Sequence, residues 1–245
     1  MSPVFNNVVA RLSFPGESAE YREARNSLLE REIELRRALE AVAQERRKLP
    51  PGGLVPDYVF TGLDERGEEV ELRMPDLFAP GQDTLVLYNM MYGPDQEEAS
   101  LAAGLPPTGC PGCTSILDGL NGSARHFTQR FSFAVVASSP LPRILAYANE
   151  RGWHGEGMRF LSSAGTTYDE DYYGMAPDRT RRAPMINVFQ RKDGQVRHFW
   201  GNELHYAKAD PGQHYRNNDL IIPIWGLMDM TPEGRDPNWM PAVEY

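Results

Sequence analysis

Residues 108–119 read "TGCPGCTSILDG" and hold both cysteines of the 245-residue chain, Cys110 and Cys113. Pro111 follows the first of them. Ile116, Leu117, Leu120, Ala124, Phe127 and Phe131 then recur at helical spacing on one face. Proline suits the first position of a helix, where its missing N–H would have had no partner. Cys110 is therefore expected at or beside the N-cap. Its sulfur would face unpaired backbone N–H groups and the positive end of the helix dipole. Both favour thiolate over thiol, and cysteines in such sites reach pKa values of roughly 3.5 to 7.5. Cys113 lies one turn further in, within reach of a mixed disulfide formed on Cys110, and no third thiol is present to divert the exchange. The spacing thus predicts a nucleophile, Cys110, and a resolver, Cys113. Gly119 and Gly122 weaken the helix, and a kink is expected there.

Upstream, "DTLVLYNMMY" at 83–92 is a nearly continuous apolar run, the mark of a buried central strand. A long loop of Gly, Pro and acidic residues, 93–109, separates it from the cysteines. Downstream come a buried strand at 131–139, a short helix "PLPRILAYANERG", a strand "MRFLSS" and a polar irregular stretch, 163–182. "PMINVFQRKDGQVRHFW" reads as a hairpin turning at "KDG". "DLIIPIWGLMDM" has helical spacing, with Pro223 tolerable only in its first turn. Before the first buried strand, segments 58–63 and 69–73 form a hairpin around "DERG". Residues 17–48 carry no Gly or Pro and place Tyr21, Leu28, Leu35 and Val42 seven apart, with Leu49 continuing the series. This predicts a long amphipathic helix whose stripe docks on its own domain or on a second copy, although Arg31 and Glu45 interrupt it.

Alternation of strand and helix through the middle implies parallel pairing, and the closing hairpin adds antiparallel edges. The fold class is α/β, a mixed central sheet flanked by helices with a long N-terminal helical extension. The expected division is 1–52 for the extension, 53–230 for the main domain and 231–245 for a C-terminal tail.

The net charge of −9 argues against nucleic-acid and anionic-membrane binding, both of which need basic patches. The N-terminus lacks a basic flank followed by an apolar core, and no window approaches eighteen apolar residues, so a cytoplasmic location is expected. In that compartment a lone cysteine pair is more often catalytic or metal-binding than a structural staple. A structural zinc site needs four ligands. The chain offers two Cys and five His (His126, His154, His198, His205 and His214), none at finger spacing. Copper on two thiolates and one His is an alternative. Arg181 and Arg182 could bring positive charge to the thiolate or stay solvated. Trp153 and His198 read as packing residues, and Asp169 and Asp171 read as a surface turn, with a buried proton acceptor as the alternative.

The strand "TLVLYNM", the "CPGC" opening a helix, the strand "FAVVASS" and "RAPMINVFQRKDGQVRHFW" together resemble the thioredoxin superfamily. That resemblance implies a cis-proline before the hairpin, facing the cysteines. Here it would be Pro184, after Ala183. The opening hairpin looks like the entry to the peroxiredoxin-related branch. Peroxiredoxins, however, carry a Thr three residues before the attacking Cys, whereas Thr108 is two before Cys110 and Pro107 holds the other place. Over most of its length the chain resembles one thioredoxin-like bacterial family, domain of unknown function 899. This likeness rests on the leading helix, "YNMMYGPD", "GCPGC", "SSPLPRILAYANERGW" and "WGLMDMTPEGRD".

These readings converge on a thiol–disulfide oxidoreductase. Cys110 and Cys113 are the catalytic pair, and Pro111, Pro184, Ala183 and Thr108 line the site. No cofactor is expected. The partner is a thiol or disulfide, protein or small molecule, and residues 17–48 are a candidate homodimer seam. The alternatives are a non-enzymatic interaction or redox-sensing module and a copper carrier.

Overall fold

β3 (Thr84–Asn89) and β4 (Ser132–Ala137) form on the two most apolar short runs and pair in parallel, Leu85 opposite Ser132 through Asn89 opposite Val136. Every residue of β4 is buried, as a strand covered on both faces requires. The computed structural model describes residues 12–94, 98, 101–102, 108–213, 222–236 and 239–242. Most of the 95–107 insertion, Pro107, His214 and residues 219–221 of the closing apolar segment lie outside these.

The chain divides after Pro50. In the first unit, α1 (Ala19–Arg47) starts at Ser18, whose Oγ accepts the Tyr21 N–H at 3.1 Å. Arg46 and Arg47 sit in its last turn, where the helix dipole favours positive charge. No residue of α1 is buried, and Tyr21, Leu28, Leu35 and Val42 are 46–61% exposed.

In the second unit, β1 (Val59–Leu63) and β2 (Glu69–Arg73) make the first hairpin. β5 (Met158–Ser162) runs parallel to β4. β6 (Met185–Lys192) and β7 (Gln195–Gly201) make the second hairpin, and β6 lies antiparallel to β3. The turn between them has Asp193 at φ 52° and Gly194 at φ 74°, the left-handed pair that a two-residue hairpin demands. The seven strands form one sheet in the order β2-β1-β5-β4-β3-β6-β7.

The strand period sorts β3 between the two faces. Val86, Tyr88 and Met90 face a core built with α2 (Pro111–Phe127), α3 (Leu141–Glu150) and α5 (Pro223–Met228). Leu85 and Leu87 face a second core with Phe60, Met74, Leu77 and Tyr168. Among the described residues, the three longer helices of this unit all contribute to the first face. The second is covered by one-turn elements, a 3-10 turn at Met74–Leu77 and α4 (Tyr168–Asp171). Among the described residues no helix is long and apolar enough to cross a membrane.

Three expectations change. β3 stops at Asn89 rather than Tyr92, because the backbone beyond it is taken by other partners. Tyr92 N–H turns back to Met90 O at 2.8 Å, and Met91 O accepts Cys110 N–H at 3.2 Å. α2 is one continuous helix through Gly119 and Gly122, held by Ile116, Leu117 and Ala124 on its buried side. It ends at Phe127, and Phe131 folds back to stack on Phe127 at 5.5 Å. α4 occupies part of a stretch expected to be irregular.

A β-carbon on Gly119 or Gly122 would meet nothing within 4 Å. Gly119→Ala and Gly122→Ala should therefore each stabilise the protein by about 0.5–1 kcal/mol, by lowering the entropy lost on forming the helix. Urea unfolding measures this; a loss of stability in either variant would mean these positions need glycine.

Candidate active site

Cys110 is the N-cap of α2, Pro111 is its first residue, and both thiols are free. The placement follows from local rules: proline sets the first helical φ, and Cys110 lies just outside with extended backbone, φ −56° and ψ 127°. Thr114 closes the turn. Its N–H and its hydroxyl both donate to Cys110 O, at 2.9 and 3.0 Å, and its hydroxyl also pairs with the Tyr147 hydroxyl at 2.9 Å. α2 is anchored on the end of β3 by Met91. The Met91 N–H donates to Cys113 Sγ at 3.4 Å, while its carbonyl accepts the Cys110 N–H. Gly109 permits this approach, since a β-carbon there would collide with Met90 Cε and lie 3.0 Å from Tyr147 Cε1.

The two thiols differ sharply. Cys110 is partly exposed, and its pKa is held down to about 6 from an ordinary 9.0. The Cys113 thiol, as hydrogen-bond partner, is the main cause; the Cys113 and Gly112 amides add to it, against the opposing effect of burial. Cys110 Sγ makes no regular capping hydrogen bond, so these amides act as nearby dipoles rather than as well-aligned donors. Cys113 is 1% exposed, and its pKa is pushed well up, by burial first and then by the neighbouring Cys110. As pH rises the first proton leaves Cys110, and the Cys113 S–H stays in place to stabilise the resulting thiolate.

Tyr88 is the residue that sequence reasoning missed. It lies on β3 in the same core as Cys113, fully buried. Its hydroxyl makes no hydrogen bond of ordinary geometry, yet it is close enough to Cys113 to favour that thiolate. The signal was available: a lone phenol inside "TLVLYN", where a doubly buried strand needs only aliphatic side chains.

Other expected residues fall in varied places. Pro111 follows Cys110 directly, and Thr108 lies two residues before it. Ala183 is buried and Pro184 partly so, just beyond the Asn89–Met185 pair that ends the β3–β6 ladder. The Ala183–Pro184 bond is trans, which corrects the expected cis-proline. The backbone before it is held as a short antiparallel pair: Ala183 N–H bonds Gly174 O at 2.9 Å, and Arg182 bridges Met175. Arg182 pairs with Asp169 at 3.7 Å and is not among the groups that lower Cys110. Asp169 is no surface-turn residue. It turns inward to accept from Asn89 at 2.9 Å and Ser163 at 2.7 Å, and burial pushes its pKa up against those bonds and Arg182. Asn89 alternates with Tyr88 on β3, so this cluster lies on the other face of the sheet. Trp153 is buried with its indole N–H on Asp118 at 2.7 Å, and His198 pairs with Asn187 at 3.1 Å. Among the described residues no three His, Cys, Asp or Glu side chains converge to hold a metal.

A parallel β3–α2–β4 unit whose helix opens on Cys-x-x-Cys, with a hairpin running antiparallel beside β3, defines a thioredoxin-like protein. The chain belongs to a family described as bacterial protein of unknown function, DUF899, whose model matches residues 13–245. No protein of curated function matches it. Similar solved structures include a mitochondrial 2-cys peroxiredoxin from Plasmodium falciparum, at 15% identity over 74% of this chain and 95% of that one, TM-score 0.44. Another is peroxidoxin BcpB from Mycobacterium tuberculosis, at 16% over 60% and 82%, TM-score 0.37. A third is an uncharacterized conserved protein from Geobacillus kaustophilus, at 13% over 78% and 87%, TM-score 0.39. At these values they say nothing about activity.

Iodoacetamide labelling of Cys110 should rise with a midpoint near pH 6, because the thiolate fraction grows as pH climbs through the pKa. Cys113 should stay unlabelled in the folded protein. Tyr88→Phe should move the Cys113 titration further up and leave the Cys110 midpoint nearly in place. A Cys110 midpoint near the free-thiol value of about 8.5 would remove the nucleophile assignment.

Proposed function

We propose that this protein is a thiol–disulfide oxidoreductase. The observation that carries the reading is the placement of two free thiols, Cys110 partly exposed at the helix start and Cys113 buried one turn behind it under the Met91 N–H. Their opposite pKa shifts support it. Cys110 thiolate attacks one sulfur of a substrate disulfide, forms a mixed disulfide and releases the other sulfur as thiolate. Covalent capture removes the negative charge on Cys110 that had raised Cys113. Cys113 then loses its proton to the departing thiolate and attacks Cys110 Sγ. The internal disulfide forms, and the second substrate thiol leaves. Two electrons pass from the pair to the substrate, and a dithiol reductant restores the pair. Run backward, the same steps oxidise a dithiol. Met91 N–H, donating to Cys113 Sγ, and the Tyr88 hydroxyl both favour the Cys113 thiolate that the second step requires.

The substrate class here is a disulfide or dithiol, and the proposed compartment is the cytoplasm. The internal disulfide should titrate within roughly −270 to −120 mV, the span of thioredoxin-type pairs. Cys110→Ser should abolish disulfide reduction. Cys113→Ser should complete one attack and accumulate a mixed disulfide on Cys110. A wild-type protein that forms no internal disulfide across that range would end this reading.

Self-association is a second proposal, favoured by the apolar stripe that α1 leaves exposed. A pair of α1 helices would bury Leu28 and Leu35, each favoured by about 1.5–3 kcal/mol when fully covered. Leu35→Asp should then shift sedimentation toward monomer; an unchanged profile would remove the dimer.

A further inference from the structure

The chain after α5 returns to the thiol site along a line of side-chain contacts. Trp225 of α5 is buried in the core that contains Cys113. Arg235 lies over the Trp225 ring at 5.4 Å and binds both carboxylate oxygens of Asp229, at 3.1 and 2.6 Å. Trp239 N–H turns back to Asp236 O at 3.2 Å, and the Trp239 ring meets Trp225 edge-on at 5.5 Å. Trp239 packs on the same core as Cys110. Met240 follows. A β-carbon built on Gly112 would lie 3.6 Å from Met240 Cε and 3.8 Å from Cys110 Sγ, so the thioether end and the Cys110 sulfur both border the space beside Gly112.

We propose that Trp239 and Met240 form the outer wall of the thiol site and select low-molecular-weight disulfides over folded protein disulfides. The inference rests on the oxidoreductase reading and adds its substrate class. A disulfide under attack keeps its leaving sulfur in line beyond the sulfur that is struck, so it needs clear space outward from Cys110 Sγ. A slender disulfide fits beside a Met side chain, which has three rotatable bonds and yields readily. A folded partner brings backbone on both sides of its disulfide and meets Trp239, which is fixed on Trp225 and cannot yield so easily.

The test uses the full-length chain and compares bulky with slender reagents on Cys110. The alkylating pair is iodoacetamide and a maleimide carrying a polyethylene glycol chain. The disulfide pair is hydroxyethyl disulfide and insulin. In Met240→Gly and Trp239→Ala the bulky-to-slender rate ratio should rise about tenfold in both pairs, equivalent to about 1.4 kcal/mol of barrier. Met240 is 43% exposed, so its replacement does not endanger the fold; urea unfolding checks Trp239→Ala. An unchanged ratio in folded Met240→Gly and Trp239→Ala overturns the inference. If the alkylation ratio rises but no variant reacts with either disulfide, the wall stands and the oxidoreductase reading falls.

Discussion

The site depends on one junction, the seating of the first turn of α2 on the frayed end of β3. Met91 uses both of its backbone groups there, donating to Cys113 Sγ and accepting from Cys110 N–H. The strand therefore ends where the helix needs its hydrogen bonds, and buried backbone groups that leave the ladder still find partners. Glycine at 109 lets the loop come in against Met90 and Tyr147. Thr114 then ties the turn to α3 through Tyr147.

That junction makes two identical side chains chemically different. At the helix start the Cys113 thiol first, and then the amides of Cys113 and Gly112, favour the charge on one sulfur. One turn further in, the other sulfur is enclosed by Tyr88 and the apolar core, and burial opposes its charge. Desolvation acts on both, but only at Cys110 do the neighbouring thiol and amide dipoles outweigh it. The proposed exchange cycle rests on this asymmetry, because such a cycle needs the attacking sulfur as thiolate first and the resolving sulfur second.

The cysteine pair, the proline after it and the parallel strands on either side were legible because each follows from local rules. Helix-start chemistry fixes Cys110 and Pro111, apolar runs fix β3 and β4, and "KDG" fixes the β6–β7 turn. Pro184 was misjudged. It directly precedes β6, but the bond before it is trans, and the backbone leading to it pairs with Gly174 and Met175 from a segment with no readable pattern. Asp169 takes the less expected of its two readings, a buried acceptor rather than a surface turn, for a related reason. "YDED" looks solvated in the sequence, and only the packing of α4 against the end of β3 turns that one carboxylate inward.

The sequence by itself determined the α/β class, the strand runs and a helix opening on Cys-x-x-Cys. Periodicity, proline position and apolar runs act within a few residues of one another. Only the tertiary structure decided which groups surround the sulfurs. Tyr88 lies 25 positions before Cys113 and Met240 lies 130 after Cys110 in the chain, and neither separation carries any local signal. Tyr88 is brought beside Cys113 by the face on which β3 places it, and Met240 is brought to Gly112 by the stretch that the Trp225–Trp239 contact holds. Through-space contacts of that kind are fixed by packing of the whole core, which no short window of sequence encodes.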